Sequence, residues 1–403
     1  MNRPHAVLAT LLVAVTAATS TASSTHAAQS DLASTLAAAL HSPGIDPGRT
    51  GAIAVDLQTG ATVFAHNPQT SLLPASAEKL PVSFAALKVL GPRYRFRTEV
   101  VGLGTRAGRV WKGNLWLVGF GDPTLARSDL DRLARTFAAT GIRRVLGRVF
   151  GDDTHFDAQR DGLGWKPGYL GIESRPISAL SVARVPLTGV HGSAVAAARA
   201  YVNALERRGI SVSGRSGARR APRGALSIAF DLSEPLSALL RRVNGESDNF
   251  VAEMLLKELG ATIAERGSSA SGARVVRKAL RDASVPLAGV RIADGSGLSR
   301  FDRLTATALV SMLRAGAVDP AMRRAFVSSF AVAGVSGTLE RRLDVRPTRG
   351  RVIAKTGTTR RASALAGFVG RRYVFAILQN GSPVPYWTAR ETQDRFVTIL
   401  AGS

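Results

Sequence analysis

The chain has 403 residues, 45% of them hydrophobic and 20% charged, which is enough for two or three domains with apolar cores. This composition excludes a coiled coil, a collagen repeat and a disordered chain. The 53 basic and 29 acidic residues give a formal net charge of +24, and the absence of cysteine excludes disulfides, thiolate catalysis and cysteine-based metal sites.

The first 28 residues have the pattern of a secretory signal peptide. Arg3 provides a positive start, Ala6 to Ala18 form an apolar run too short to span a bilayer comfortably, and Thr25 to Ala28 form a small-residue cleavage site. We therefore expect a signal peptide over residues 1–28 and an exported protein of the periplasm, the cell wall or the medium. An uncleaved anchor is the alternative.

The positive charge suggests polyanionic surroundings. For an exported protein these are anionic wall polymers or the membrane surface, and the alternative is a compositional bias towards arginine without a role in docking. The interleaving of aromatic and basic residues that is typical of nucleic-acid binding is missing from the sequence, so we expect no nucleic-acid partner.

Lysine is rare in this chain, with seven lysines against 46 arginines. Arginine does not lose its proton, whereas lysine can act as a base when its pKa is lowered. A retained lysine therefore indicates a position where arginine cannot serve, and the lysines are the candidate catalytic cations.

Residues 29–95 predict a β-hairpin followed by a helix. The apolar run Gly51 to Asp56 and the segment Ala61 to Ala65 flank Gln58-Thr59-Gly60, which is typical of a hairpin turn. A helix is expected over Val82 to Leu90, ended by Gly91-Pro92.

Residues 96–229 have a different pattern of predicted secondary structure, with short strands, two helices and many turns. A basic run rich in glycine and proline, Arg215 to Gly224, is expected to be an exposed connection. We interpret the whole stretch as an inserted α+β domain. Its main predicted elements are strands at Val110 to Val118 and Val145 to Val149, and helices at Ser128 to Thr140 and Val195 to Arg208.

Residues 230–403 predict a block of helices, a three-stranded meander and a last helix. The helices are expected at Pro235 to Asn244, Asn249 to Leu259, Ala273 to Asp282 and Thr388 to Leu400, and the strands at Arg351 to Thr358, Ala362 to Val369 and Tyr373 to Leu378. Together with the N-terminal hairpin, the meander predicts one antiparallel five-stranded sheet packed between helices, built discontinuously from residues 29–95 and 230–403. The fold class is therefore α/β of the α+β type.

The first candidate for chemistry is Ser76-Ala77-Glu78-Lys79, at the predicted start of a helix. Residues three apart lie on the same side of a helix, so the Lys79 amine can approach the Ser76 hydroxyl. A serine needs a base to become a nucleophile, and a helix N-terminus adds backbone N–H groups. Taken alone, the segment could equally be an ordinary polar helix start.

Two further segments carry candidate site residues. Ser247-Asp248-Asn249 begins a predicted helix, and its alternative interpretation is a simple N-cap. Lys355-Thr356-Gly357-Thr358 lies on a predicted strand, where the glycine lets a ligand backbone come close and the lysine and threonines suit a carboxylate. A solvated strand end is the alternative there.

In this order the three segments resemble the signature Ser-x-x-Lys, Ser-x-Asn and Lys-Thr-Gly of penicillin-binding proteins and serine β-lactamases. Ser247 follows Ser76 by 171 positions, which is similar to the low-molecular-mass class C penicillin-binding proteins, the D-alanyl-D-alanine carboxypeptidase/endopeptidase family. Further stretches that resemble this family are GFGDPTL at 119–125, GDDTHFD at 151–157, SDNFVAE at 247–253, DGSGLSR at 294–300 and GTLER at 337–341.

The resemblance implies a β-lactamase/penicillin-binding-type transpeptidase domain and an acyl-enzyme mechanism on peptidoglycan peptides, inhibited by β-lactams and without a cofactor. It implies that Ser76 attacks the D-Ala-D-X carbonyl and that Lys79 takes the serine proton. Ser247, beside Lys355, then passes a proton to the leaving amine, while Asn249 holds the Lys79 amine and the substrate amide. The remaining implied groups are the oxyanion hole, formed by the backbone N–H groups of Ser76 and Thr358, and the carboxylate-binding Thr356 and Thr358 beside Gly357.

One departure from the family is expected. Many members carry a further subdomain inside the insertion, but only a short loop, Leu187 to Ala194, is available for it here. We therefore expect this chain to lack the nested subdomain and any wall-docking role that the subdomain carries, but to keep the catalytic residues.

Two other functions remain open from the sequence. A serine β-lactamase needs a second base for fast deacylation, and the sequence offers no convincing Glu-x-x-x-Asn element for it. A non-catalytic wall-binding protein is the second, against which the intact motifs argue. Four residues could also be interpreted as a metal cluster, but we assign them to turns and strand ends and expect no metal: Asp152, Asp153, His155 and Asp157.

Overall fold

The computed structural model describes residues 30–183 and 192–403. The predicted signal peptide at 1–28 lies outside the described residues, as does most of the loop predicted at Leu187 to Ala194. Among the helices in the described ranges, none combines the length and the apolar character needed to cross a bilayer.

The elements follow one another along the chain, with long connections between β6 and α4 and between α7 and α8. The strands are β1 (Thr50–Asp56), β2 (Thr62–His66), β3 (Arg97–Ala107), β4 (Val110–Gly119), β5 (Arg144–Leu146), β6 (Val149–Asp152), β7 (Ser211–Val212), β8 (Gly217–Ala218), β9 (Leu226–Leu232), β10 (Ala331–Val332), β11 (Val352–Thr359), β12 (Ala362–Val369) and β13 (Tyr373–Asn380). The helices are α1 (30–40), α2 (Lys79–Val89), α3 (Arg127–Ala139), α4 (Gly192–Glu206), α5 (Leu236–Asn244), α6 (Asn249–Ala264), α7 (Ser269–Asp282), α8 (Ala306–Val318), α9 (Arg323–Val327) and α10 (Tyr386–Gly402).

The first sheet is antiparallel, with the strand order β10-β11-β12-β13-β1-β2. The five predicted strands are present, and β10 extends the sheet beyond β11 by two residue pairs. The sequence did not indicate β10 because two residues are too few to carry an alternating pattern.

Helices cover both faces of this sheet. In β13, Val374, Ala376 and Leu378 join the core formed with α2 and α5 to α8, whereas Phe375 and Ile377 join the core formed with α1 and α10. Successive strand residues point to opposite faces, so with both faces covered every position of β12 and β13 is buried and both strands are largely apolar.

The second sheet is mixed, with the path β7-β5-β4-β3-β9 and with β6 joining β4 to β8. Helices α3 and α4 pack against it. The predicted strand Val145 to Val149 is two strands, since β5 and β6 pair with β4 on either side of Gly113 and Asn114. There Asn114 Oδ1 accepts from the Arg148 N–H at 2.9 Å and interrupts the ladder.

The expected exposed connection Arg215 to Gly224 is not entirely irregular, because it contains the short strand β8. The boundary predicted between residues 229 and 230 falls inside β9, which continues to Leu232 and pairs there with Arg97 of β3. We propose that the inserted domain, if it is a unit, reaches Leu232.

Helices α2 and α6 approach the first sheet from the same side and carry candidate site residues at their N-terminal ends. Their middle turns are buried all round, over Lys79 to Leu87 in α2 and Phe250 to Gly260 in α6. The sequence pattern ended α6 at Leu259, before Gly260, because glycine commonly marks a helix end. The helix instead continues through Gly260 to Ala264. Helix α8 was not predicted from the sequence.

Candidate active site

Ser76 lies in a 3-10 turn, Ala75–Glu78, directly before α2 begins at Lys79. The two residues were expected at the start of one helix. The structure instead places Ser76 in the 3-10 turn and Lys79 at the first position of α2. The spacing still brings them together, because residues three apart are eclipsed in a 3-10 turn. Lys79 Nζ is 2.9 Å from Ser76 Oγ. Ala75 has a left-handed backbone with φ of 47°, a sparsely populated conformation that recurs at functional sites.

The Lys79 side chain is completely buried. Besides Ser76, its amine contacts Asn249 Oδ1 and the carbonyl oxygen of Ser296, each at 2.7 Å. Burial disfavours the ammonium form and lowers the pKa of Lys79 to about 8, against the opposing effect of nearby carboxylates, of which Asp294 is the strongest. Near physiological pH a minority of Lys79, on the order of a tenth to a fifth, is therefore neutral.

The contacts of Lys79 direct its lone pair. Asn249 Nδ2 donates to the carbonyl oxygen of Glu173 at 2.8 Å, which turns the Asn249 amide oxygen towards Lys79. That oxygen and the Ser296 carbonyl can only accept hydrogen bonds. A neutral amine has two hydrogens and one lone pair, so donation to these two acceptors leaves the lone pair facing the Ser76 hydroxyl.

Ser247 and Lys355 form a second serine–lysine pair. Lys355 Nζ donates to Ser247 Oγ at 2.9 Å and to the carbonyl oxygen of Thr356 at 2.8 Å. Burial, with the nearby charge of Lys79, holds the pKa of Lys355 well below its usual value. Ser247 has φ of 65°, and the N-cap of α6 is Asp248, which accepts from the Val251 N–H at 3.0 Å. The N-cap role therefore belongs to the neighbour of Ser247.

The strand β11 presents an open edge beside the two serines. Its partner β10 pairs only with Ile353 and Ala354, so the edge from Lys355 onwards has no strand neighbour on that side among the described residues. Thr356 Oγ1 donates to Thr338 Oγ1 at 2.9 Å, while Thr358 is exposed.

Gly357 lies where the strand meets the turn that carries Ser76. A Cβ atom at Gly357 would lie 2.8 Å from the Pro74 carbonyl oxygen and 3.1 Å from the Ala77 nitrogen. Any larger residue would push the turn away from β11. All eight residues singled out from the sequence therefore lie on three neighbouring elements: the Ser76–α2 junction, the N-terminus of α6 and β11.

Sequence reasoning missed the buried polar groups around Lys79. Ser296 supplies a carbonyl to Lys79, and the carboxyl groups of Glu78, Glu253, Asp294 and Asp302 are buried nearby. Burial raises the pKa of Glu78, of Glu253 and of Asp302, that of Glu253 to about 8. The stretches SDNFVAE and DGSGLSR, which contain Glu253 and residues 294–297, were the available signal, but a family likeness by itself assigned them no role.

The four residues considered as a metal cluster take separate partners. No group of three or more potential metal ligands occurs in the described part of the chain. Asp152 accepts from Thr154 and Ala221, Asp153 from Arg160 and Ser178, His155 pairs with Glu258, and Asp157 pairs with Lys257.

The fold is that of a penicillin-binding protein. The structure is similar to penicillin binding protein 4 from Haemophilus influenzae, with a TM-score of 0.80 over 93% of this chain and 98% of that one, at 23% identity. The sequence matches the D-Ala-D-Ala carboxypeptidase 3 (S13) family over residues 32–188 and 184–402, and the chain belongs to this family.

Two similar curated sequences are named as carboxypeptidases. A D-alanyl-D-alanine carboxypeptidase of Actinomadura sp. is 30% identical over 90% of this chain and 83% of its own length. Carboxypeptidase DacB of Mycolicibacterium smegmatis is 31% identical over 92% of this chain and 83% of its own length. The predicted family, the fold class and the prediction of a D-Ala-D-Ala carboxypeptidase are confirmed.

Proposed function

We propose that this enzyme cleaves D-Ala-D-X bonds of cell-wall peptides with Ser76 as nucleophile and Lys79 as base. The observation that carries the proposal is the 2.9 Å contact between Ser76 Oγ and a completely buried lysine amine whose pKa is about 8. A base is most effective when its pKa lies near the working pH.

Acylation begins when Lys79 Nζ accepts the Ser76 proton and Oγ attacks the carbonyl carbon of the scissile bond. As the C–N bond breaks, Ser247 Oγ–H protonates the departing nitrogen, and Lys355 Nζ, 2.9 Å away, reprotonates Ser247. The products are an ester on Ser76 and a free D-amino acid. One proton has moved to Lys79 and one has left Lys355, so the two buried lysines together carry one ammonium group both before and after acylation.

Deacylation reverses these transfers. A water molecule attacks the ester carbonyl and gives its proton through Ser247 to the neutral Lys355 amine. Ser76 Oγ leaves the carbonyl carbon and recovers its proton from the Lys79 ammonium. The net reaction is hydrolysis of one amide bond, and both lysines return to their starting states.

The open edge of β11 suits an extended peptide. A substrate strand can pair with main-chain groups beyond Ala354, in the way that peptides add to exposed sheet edges. In this pose the backbone N–H groups of Ser76 and Thr358 form the oxyanion hole, and the hydroxyls of Thr356 and Thr358 bind the terminal carboxylate. These roles are supported by the exposure of Thr358 and by the edge of β11 beyond Ala354, which has no strand partner in the described part of the chain.

The same chemistry applies to peptidoglycan cross-links, so we propose endopeptidase as well as carboxypeptidase activity, outside the cytoplasm after export by residues 1–28. We also propose β-lactams as inhibitors. The similar Haemophilus influenzae protein has been solved in complex with a β-lactam. A stable acyl-enzyme, as opposed to rapid penicillin hydrolysis, separates this function from a β-lactamase.

Benzylpenicillin should form a stable adduct on the peptide that contains Ser76. Ring opening has no leaving fragment, so the protein gains the mass of the whole penicillin molecule, which intact-protein and peptide mass spectrometry measure. The Ser76→Ala variant, with its fold checked by thermal melting, should gain no mass. A folded parent that stays unmodified for hours would contradict the proposal, and rapid release of hydrolysed penicillin would favour a β-lactamase.

Lys79→Arg should slow acylation by at least ~10²-fold, because arginine keeps the charge but cannot accept the Ser76 proton. The matched control is Lys88→Arg on the same helix, whose exposed amine pairs with Asp319 at 2.7 Å. That variant should label at the parental rate. The time course of fluorescent penicillin labelling gives both rates. Equal rates for Lys79→Arg and the parent would show that Lys79 is not the base.

The acylation rate should rise with pH and level off above pH 8. The neutral amine is the active form, and burial lowers the pKa of Lys79 to about 8, so its neutral fraction grows roughly tenfold per pH unit below that value. Stopped-flow measurement of the acylation rate constant between about pH 6 and about pH 10 gives the profile, with circular dichroism as the check on folding. A profile that is flat through pH 8 would remove Lys79 from the rate-limiting proton transfer.

We further propose that the +24 charge attaches the enzyme to anionic wall polymers or to the membrane surface. Binding to isolated walls and to anionic vesicles should weaken steeply between about 50 mM and about 500 mM salt, since exposed charges are screened over this range. Co-sedimentation measures the bound fraction, with uncharged vesicles as the control. Salt-independent binding would show that the charge has no part in docking.

A further inference from the structure

The turn Asp294–Gly297 is held between the two helices of the site. A Cβ atom on Gly295 would lie 2.6 Å from the Ala252 carbonyl oxygen of α6. One on Gly297, which has φ of 84°, would lie 1.8 Å from the carbonyl oxygen of Ala75, the residue before Ser76. A side chain at either position would clash, so both residues must be glycine for residues 294–297 to contact α6 on one side and the Ser76 turn on the other.

Ser296 lies at the centre of this turn, and both its main-chain carbonyl and its main-chain N–H are hydrogen-bonded. Its carbonyl oxygen accepts from Lys79 Nζ at 2.7 Å. On the other side, Glu253 Oε1 accepts the N–H groups of both Gly295 and Ser296, each at 2.9 Å. This oxygen therefore anchors the two peptide units that precede the Ser296 Cα atom. The next peptide unit, which contains the Ser296 carbonyl, is held by Asp294 Oδ1, which accepts the Gly297 N–H at 2.7 Å. The direction of the Ser296 carbonyl depends on both carboxyl groups.

Glu253 is well placed to act on Lys79 through this peptide. It follows Asn249 by four residues on α6, so the two side chains lie on one face of the helix, one turn apart. Asn249 reaches the Lys79 amine directly at 2.7 Å, and Glu253 reaches it through the Ser296 peptide. Both hydrogen-bond acceptors that direct the Lys79 lone pair are therefore fastened to the same helix.

We propose that Glu253 is a positioning residue of the reaction: its Oε1, together with Asp294 Oδ1, holds the turn in which the Ser296 carbonyl is the second acceptor of the Lys79 amine, and so directs the lone pair to Ser76. This inference rests on the proposed function of Ser76 and Lys79. The proposed role depends on the position of the Glu253 oxygen and not on its charge. A protonated carboxyl or an amide offers the two N–H groups the same acceptor as a carboxylate does.

An effect of charge is the competing explanation. Lys79 faces carboxyl groups from its own turn, from α6 and from the turn 294–297, and a lysine from β11; these groups are Glu78, Asp248, Glu253, Asp294 and Lys355. The pKa of Glu253 is raised to about 8 by burial first and by Asp294 second, so much of Glu253 is uncharged near neutral pH. The hydrogen bonds from Gly295 and Ser296 oppose this rise of the pKa. They persist when the carboxyl is protonated, because its carbonyl oxygen still accepts.

Two substitutions separate reach from charge. Glu253→Gln keeps the length and the acceptor oxygen but removes the charge, whereas Glu253→Asp keeps the charge but withdraws the oxygen by one methylene. We expect the limiting rate of acylation by benzylpenicillin to fall at least about tenfold in Glu253→Asp, in line with small misplacement of a catalytic group. Glu253→Gln should stay within about threefold of the parent. The concentration dependence should show unchanged penicillin binding in both, because Glu253 does not contact the ligand.

The matched control is Glu258→Ala. Glu258 is a buried carboxyl of the same helix that accepts from Tyr94 and pairs with His155, with no contact to the Ser296 peptide. This variant should melt at a lower temperature but acylate at the parental limiting rate. A fall in acylation that merely followed melting temperature in all three variants would overturn the proposal.

The outcomes for Glu253 are each decisive. Loss in Glu253→Asp with retention in Glu253→Gln supports the positioning role. Loss of at least about tenfold in Glu253→Gln overturns it in favour of charge, even if Glu253→Asp does not fold. Parental rates in both folded variants overturn it as well. A parent that shows no Ser76 adduct would instead refute the proposed function, so the two failures are distinguishable.

Discussion

The removal of the Lys79 amine from water is the constraint on which the rest of the site depends. An ammonium group in a closed interior is unfavourable, so burial lowers the pKa of Lys79 to about 8 and makes a base of a residue that is ordinarily protonated. Such burial is tolerable only when the polar contacts of the amine are satisfied. Ser76, Asn249 and the Ser296 carbonyl satisfy them, and each comes from a different part of the chain.

The fold serves this constraint by closing the lysine in from every side. Helices α2 and α6 are buried over most of their length, and the covered sheet lets β11 pass close to the Ser76 turn, where Gly357 contacts Pro74 and Ala77. The second buried lysine, Lys355, lies near enough for the charge of Lys79 to lower its pKa. Because two ammonium groups repel each other, this proximity favours a mechanism in which Lys355 loses a proton while Lys79 gains one.

The elements that the sequence predicted well are those with a complete local pattern. β12 and β13 are apolar runs separated by Gly370, and α7 has a clear amphipathic stripe. The failures have physical causes. β10 has only two residues, and β5 and β6 are separated by an interruption that lies in the neighbouring strand. α6 continues through Gly260, a residue type that commonly marks a helix end. The end of the second sheet at Leu232 is set by the pairing of β9 with β3.

Within the site, the sequence by itself determined the residues whose chemistry is carried by their identity. Ser76 and Lys79 are three positions apart, so any tight helical turn brings them together, and the scarcity of lysine indicated the sites where arginine cannot replace it. Only the tertiary structure decided what surrounds the amine. The Ser296 carbonyl lies 217 positions from Lys79 along the chain, and Glu253 acts on it through backbone N–H groups. A backbone carbonyl has the same chemistry in every residue, and a pKa depends on burial, so neither can be inferred from residue type before the chain has folded.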